Sequence, residues 1–202
     1  MPDDTASPVD LLRRAAEASI GSTERKLLTA AGFGEAALDA PVLVGGTAVE
    51  LHTGAYRPTD IDLVGYPKPG SDAILAELGF EREGRHWLFA FADRETLAIE
   101  VPGDRLADFA REPPLVIDLS PGQIAVIGLN DLLMDRLLQA TGGEPVTMDE
   151  AVRLATAAYE RIDWEDLSAR SDAAAQDETL AGASLPAVLA AVRRTARKQL
   201  RR

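Results

Sequence analysis

The sequence predicts an α/β (α+β) fold in which a mixed sheet core lies between a helical preface and a C-terminal helical region. Three observations carry this. Six strand-like runs fall between residues 40 and 127, short helical stretches separate them, and helical periodicity holds before residue 40 and again from Leu129 onward. Strands interleaved with helices build layers rather than bundles. The expected divisions are 1–39 for the preface, 40–127 for the core and 128–202 for the C-terminal helices.

The preface opens at Ser7, where a capping residue is followed by Pro8 at the tolerated first helical position and by Asp10. Leu11, Leu12, Ala15, Ala16 and Ile20 recur at helical spacing, and Gly21-Ser22 stops and restarts the pattern before Leu27 and Leu28. In the core, PVLV at 41–44, DIDLV at 60–64, HWLFAFA at 86–92, TLAIEV at 96–101, LVIDL at 115–119 and IAVI at 124–127 read as strands. TAVELH, SDAILAELGF and DRLADFAR read as short helices between them. After Leu129, Thr141-Gly142-Gly143-Glu144-Pro145 reads as a helix stop, Thr147 with Glu150 as a capping box, and Asp163-Trp164-Glu165-Asp166 as a capped helix start. SARSDAAAQDETLAGAS (168–184) reads as a linker, and a last helix from Leu185 sets Leu185, Val188, Leu189, Val192 and Leu200 along one face.

Composition narrows the function classes. With 202 residues, 46% hydrophobic and 27% charged, the chain is an ordinary globular protein able to bury a core. It has no cysteine and only His52 and His86, which excludes a disulfide scaffold, a thiol nucleophile and a zinc finger. The net charge of −12 argues against a whole-surface grip on nucleic acid. The balance is uneven, because RRTARKQLRR at 193–202 holds six of the 21 basic residues and no acidic one. That stretch reads as a solvated basic helix face, with contact to RNA or an acidic partner as the alternative. The acidic opening MPDDTASPVD is unlike a targeting peptide, and no apolar run approaches the ~20 residues of a membrane span, so a cytoplasmic location is expected.

The stretch VLVGGTAVELHTGAYRPTDIDLV (42–64) carries the chemistry. Asp60 and Asp62 alternate with Ile61 and Leu63, so on a strand both carboxylates face one way and both aliphatics the other. Two like charges that close call for an offset, which a divalent cation with oxygen ligands provides. Upstream, Gly45, Gly46 and Thr47 join a strand to a helix start, where glycines permit close backbone approach and oriented N–H groups suit a phosphate. Arg57 and Thr59, just before the carboxylate strand, and Arg85 and His86, opening another, are further candidates for phosphate or base contact. Gly32-Phe33-Gly34-Glu35-Ala36-Ala37 fits the spacing of a dinucleotide fingerprint but follows a helix pattern, so it is rejected.

A strand, Gly45-Gly46, 13 intervening residues (47–59) and Asp60-Ile61-Asp62-Leu63 together resemble the signature of the DNA polymerase β-like nucleotidyltransferase superfamily. The resemblance implies a third carboxylate on a later strand, and Glu100, flanked by Ile99 and Val101, is the matching position. It further implies that 40–127 is the nucleotidyltransferase core. Two Mg²⁺ ions would be held by Asp60, Asp62 and Glu100, an NTP would be the donor, and a nucleoside monophosphate would pass to a hydroxyl acceptor. No nucleophilic side chain is needed, which agrees with the missing cysteine. Residues 79–106 and IAVIGLNDLLMDRL (124–137) resemble small bacterial nucleotidyltransferases, including the abortive-infection toxin type. Those often carry a lysine where this chain has Arg136, and a guanidinium keeps the charge without serving in proton transfer. The acceptor stays open among a small molecule, RNA and protein, as does a partner protein or homodimer. The competing reading is a non-catalytic nucleotide- or partner-binding module, with a toxin–antitoxin or defence system as its setting.

Overall fold

A computed structural model describes residues 6–54, 57–108, 110–120, 122–142, 145–176 and 184–201. The chain divides into two compact units. The first comprises Met1–Leu51, Arg57–Ala107 and Pro113–Ile127, and the second His52–Tyr56, Asp108–Glu112 and Gly128–Arg202.

In the first unit, helix α1 (Pro8–Glu17) starts where Ser7 Oγ accepts the Asp10 N–H, and α2 (Thr23–Ala37) starts where Ser22 Oγ accepts the Arg25 N–H. There follow β1 (Leu38–Val44), α3 (Gly45–Thr53), β2 (Asp60–Pro67), α4 (Ser71–Glu77), β3 (Phe80–Glu83), β4 (His86–Ala90), β5 (Thr96–Gly103), β6 (Leu115–Asp118) and β7 (Gln123–Val126). They form a seven-stranded sheet in the order β3-β4-β5-β2-β1-β7-β6. The pairs β2–β5 and β1–β7 are parallel, while β1–β2 and the outer pairs are antiparallel, so the sheet is mixed. Burial follows the alternation in the sequence: Leu43, Ile61, Leu63, Ile99 and Val126 are fully enclosed, whereas Asp60, Asp62 and Glu100 are half-buried.

Helix α2 packs against the sheet and is buried on nearly every side. Its small residues permit this. A Cβ on Gly32 would stand 3.0 Å from Leu12 Cγ, and one on Gly34 would stand 2.9 Å from Pro41 Cβ. The glycines of the rejected fingerprint therefore serve close packing.

Three local expectations for this unit are corrected. DRLADFAR is not a helix among its described residues. Phe80, expected at the end of the helical stretch SDAILAELGF, instead opens a strand, Phe80–Glu83, in which only Phe80 is buried and no apolar alternation marks the rest. HWLFAFA pairs only to Ala90, since the Phe91 N–H turns back to the Glu95 carbonyl.

The second unit contains α5 (Leu129–Thr141), α6 (Pro145–Ala157), a 3₁₀ turn (Tyr159–Arg161), α7 (Trp164–Ala175) and α8 (Leu185–Gln199). Leu132, Leu133, Leu137, Leu154, Leu167 and Val192 form its core. Asp163 caps α7 by accepting the Glu165 and Asp166 N–H groups. The capping box at Thr147 is corrected: α6 already begins at Pro145, so Thr147 is internal, and Glu150 pairs with Arg136. The linker is corrected too, because 168–175 belong to α7; residues 177–183 lie outside the described residues. On α8 the buried face is Leu185, Leu189, Val192 and Ala196, and Leu200 is exposed beyond the helix end. Among the described residues no helix is long and apolar enough to cross a membrane.

Candidate functional site

The register of the sheet assembles the candidate residues into a row. Val44 pairs with Asp62 across β1–β2, Asp62 with Glu100 across β2–β5, and Glu100 with His86 across β5–β4. Residues paired in register share a sheet face, and Asp60 shares it by being two residues from Asp62. Asp60, Asp62, Glu100 and His86 therefore stand on the face opposite Ile61, Leu63 and Ile99.

Gly45 closes one end of the row. It begins α3 with φ +64°, and a Cβ built there would lie 1.8 Å from Asp62 Oδ2. The Asp62 carboxylate thus rests directly on the bare Cα, an approach that no other residue permits. Thr47 Oγ1 donates to the Asp60 backbone carbonyl at 2.9 Å and is wholly buried, so its side chain ties α3 to the start of β2. Gly46 is buried beside it in the first turn of the helix.

At the other end, Arg85 Nε stands 3.3 Å and His86 Nε2 3.4 Å from Glu100 Oε2. Arg85 is 75% exposed, which leaves its attraction to Glu100 weak and easily exchanged. Arg57 and Thr59 are exposed on the segment entering β2. Among the described residues, no three His, Asp or Glu side chains are gathered closely enough to hold a metal ion as they stand.

One supporting group was not read from the sequence. Lys26 Nζ, on α2, donates to Glu50 Oε2 at 2.8 Å and to the Pro58 carbonyl at 2.9 Å, and Thr23 Oγ1 donates to the other oxygen of Glu50. Lys26 and Glu50 are both buried, and together they fix the turn that delivers Asp60. The signal was a rare lysine, one of three in the chain, inside a helix of small and apolar residues.

Arg136, on α5 of the second unit, is committed elsewhere. Its guanidinium bonds Asp135 at 2.6 Å and Glu150 at 3.0 Å. Burial disfavours its charge, but Asp135 and Glu150 more than offset this and hold its pKa above the ordinary value. It is a structural cation joining α5 to α6. Asp131, also on α5, is fully buried and accepts the Arg111 and Glu112 N–H groups and Arg170 Nη2.

No protein-family model and no curated protein matches the chain. Solved structures do resemble it. An antigenic nucleotidyltransferase-like protein from Paracoccidioides brasiliensis is 12% identical over 56% of this chain and 66% of its own, with a TM-score of 0.42. JHP933 from Helicobacter pylori is 14% identical over 96% of both chains, with a TM-score of 0.46. The antibiotic-resistance factor ANT(2'')-Ia is 20% identical over 96% of this chain and 94% of its own, with a TM-score of 0.37. Nucleotidyltransferase-like proteins are thus among the structures this chain is similar to, and at such identities the similarity says nothing of what it acts on.

Proposed function

We propose that the chain is a metal-dependent nucleotidyltransferase whose metal ligands are Asp60, Asp62 and Glu100. The observation that carries the reading is the register that sets Asp62 beside Glu100, with Asp60 on the same face and Gly45 beneath the Asp62 carboxylate. Three carboxylates on one face are a donor set suited to a hard cation. When bound there, Mg²⁺ would supply activation of an attacking hydroxyl and neutralisation of charge on a triphosphate.

The chain's own residues divide the remaining work. The N–H groups of Gly45, Gly46 and Thr47 at the start of α3 face phosphate oxygens, aided by the helix dipole. Glu100 would exchange its contact with Arg85 and His86 for a place in the ligand set, and this would free both side chains for the leaving pyrophosphate. Arg57 and Thr59 flank the entrance to β2, within the reach of a bound nucleotide. The acceptor hydroxyl oxygen bonds the α-phosphorus as the bond to pyrophosphate breaks, and the hydroxyl proton passes to water. The acidic body favours a small hydroxyl compound over RNA as acceptor, since a polyanion would be repelled.

The engagement of Glu100 with Arg85 and His86 favours a second reading, a nucleotide-binding module without transfer activity. A transfer assay with α-labelled NTPs over hydroxyl acceptors separates the two. The enzyme gives Mg²⁺-dependent label transfer that Asp62→Asn reduces at least ~100-fold, while nucleotide that binds equally well with EDTA and with Asp62→Asn supports the module.

A further inference from the structure

We infer that the second unit carries its own small-molecule site, for a compound that bears both a phosphate monoester and an aromatic ring. It lies between α7 and α8 of that unit, whereas the carboxylate row belongs to the first, and it does not rest on the function proposed for that row.

A cavity of about 490 Å³ opens there, in the size range of small-molecule sites. One wall is aromatic. Tyr159 and Trp164 have ring centroids 5.0 Å apart, and the indole is fixed by donating from Nε1 to the Tyr159 carbonyl at 3.1 Å. Leu189, Ala190 and Pro186 of α8 continue it with apolar surface. Helix α8 also supplies a cationic lining. Arg193, Arg194 and Arg197 line the cavity, and no acidic residue does among the described residues. None of the three has a carboxylate partner among the described residues. Arg193 lies over Trp164 at 5.1 Å, and this stacking orients the planar guanidinium.

Helix α7 supplies the most specific feature. Ser171 also lines the cavity, is fully buried, and its Oγ has no hydrogen-bond partner among the described residues. A buried hydroxyl left unmated is costly, and a helical serine usually avoids this by bonding a carbonyl four residues back. Here it points to an acceptor that arrives with a ligand. Three guanidinium groups and a hydroxyl suit the oxygens of a phosphate monoester. The aromatic and apolar wall, in a cavity too large for phosphate alone, suits a ring.

The test uses Trp164 as reporter in the full-length Trp87→Phe protein, where it is the sole tryptophan, with EDTA present. Adenosine 5′-monophosphate is the probe, and adenosine and inorganic phosphate are the controls. The monophosphate should quench Trp164 saturably, with each control at least ~10-fold weaker. Arg194→Gln/Arg197→Gln should weaken it by a further ~10-fold or more at unchanged Tm. Ser171→Ala should weaken it several-fold while raising Tm, because the unmated hydroxyl is gone. The inference is overturned by no saturable quench, by equal affinity in the double arginine variant, by adenosine or phosphate binding as well as the monophosphate, or by a Ser171→Ala protein that melts earlier.

Discussion

Replacing Gly45 with alanine tests the frame of the carboxylate row most directly. Two costs add. At φ +64° an L-residue is strained by about 1–2 kcal/mol. The new Cβ would also meet Asp62 at 1.8 Å from Oδ2, 2.6 Å from Cγ and 2.8 Å from Cβ, so the carboxylate must leave its position. An overpacked contact of this kind costs a further ~1–3 kcal/mol. The sum of about 2–5 kcal/mol corresponds to a fall in Tm of roughly 5–15 °C for a chain of this length. Because two of the three close atoms belong to the carboxylate, Asp62→Ala should relieve much of the second cost. The double variant should then melt above the sum of the single losses, by a coupling of about 1–2 kcal/mol. Thermal melts of the four proteins, with Mg²⁺–NTP titrations on the same samples, give the cycle. Additive losses, or a Gly45→Ala protein with wild-type Tm and nucleotide affinity, would refute the contact between Asp62 and the bare Cα as the reason for glycine.

Two further outcomes are expected. Lys26→Met should cost about 3–5 kcal/mol in denaturant unfolding, since it leaves the buried Glu50 carboxylate without its cation, and Lys26→Met/Glu50→Leu should recover much of that loss. Hydrogen bonding from Arg25 holds the Asp93 carboxyl below its ordinary pKa. This contact stabilises the fold fully above the ordinary carboxylate range, and the contribution fades as pH falls through the lowered value; an NMR titration should show Asp93 moving upward in Arg25→Met.

The shared face of Asp60, Asp62 and Glu100 was legible because period-2 alternation is local: Ile61, Leu63, Ile99 and Val101 announce which side is core. The step from Asp62 to Glu100 as direct neighbours was not legible, for it depends on a parallel pairing between strands more than 30 residues apart. The same holds for His86, set opposite Glu100 by the register of the β4–β5 hairpin. Thr47 was read for its backbone N–H; the separate role of its side chain, which donates to the Asp60 carbonyl, had no sequence signal, because a hydroxyl buried in a turn takes the nearest backbone acceptor. Thr147 and Glu150 matched a capping box by spacing alone, and the demand of buried Arg136 for a carboxylate decided the role of Glu150.

The Lys26 bond to the Pro58 carbonyl bears on modularity. By sequence pattern the N-terminal helices look like a detachable prelude to the sheet. Yet α2 reaches across 32 positions to grip the turn that launches the Asp60 strand. Transplanting the sheet into another protein, or trimming the chain back to its first strand, would carry off the clamp and leave the turn to wander. The transferable unit therefore includes that helix, and a change at residue 26 would disturb the start of the strand that carries Asp60.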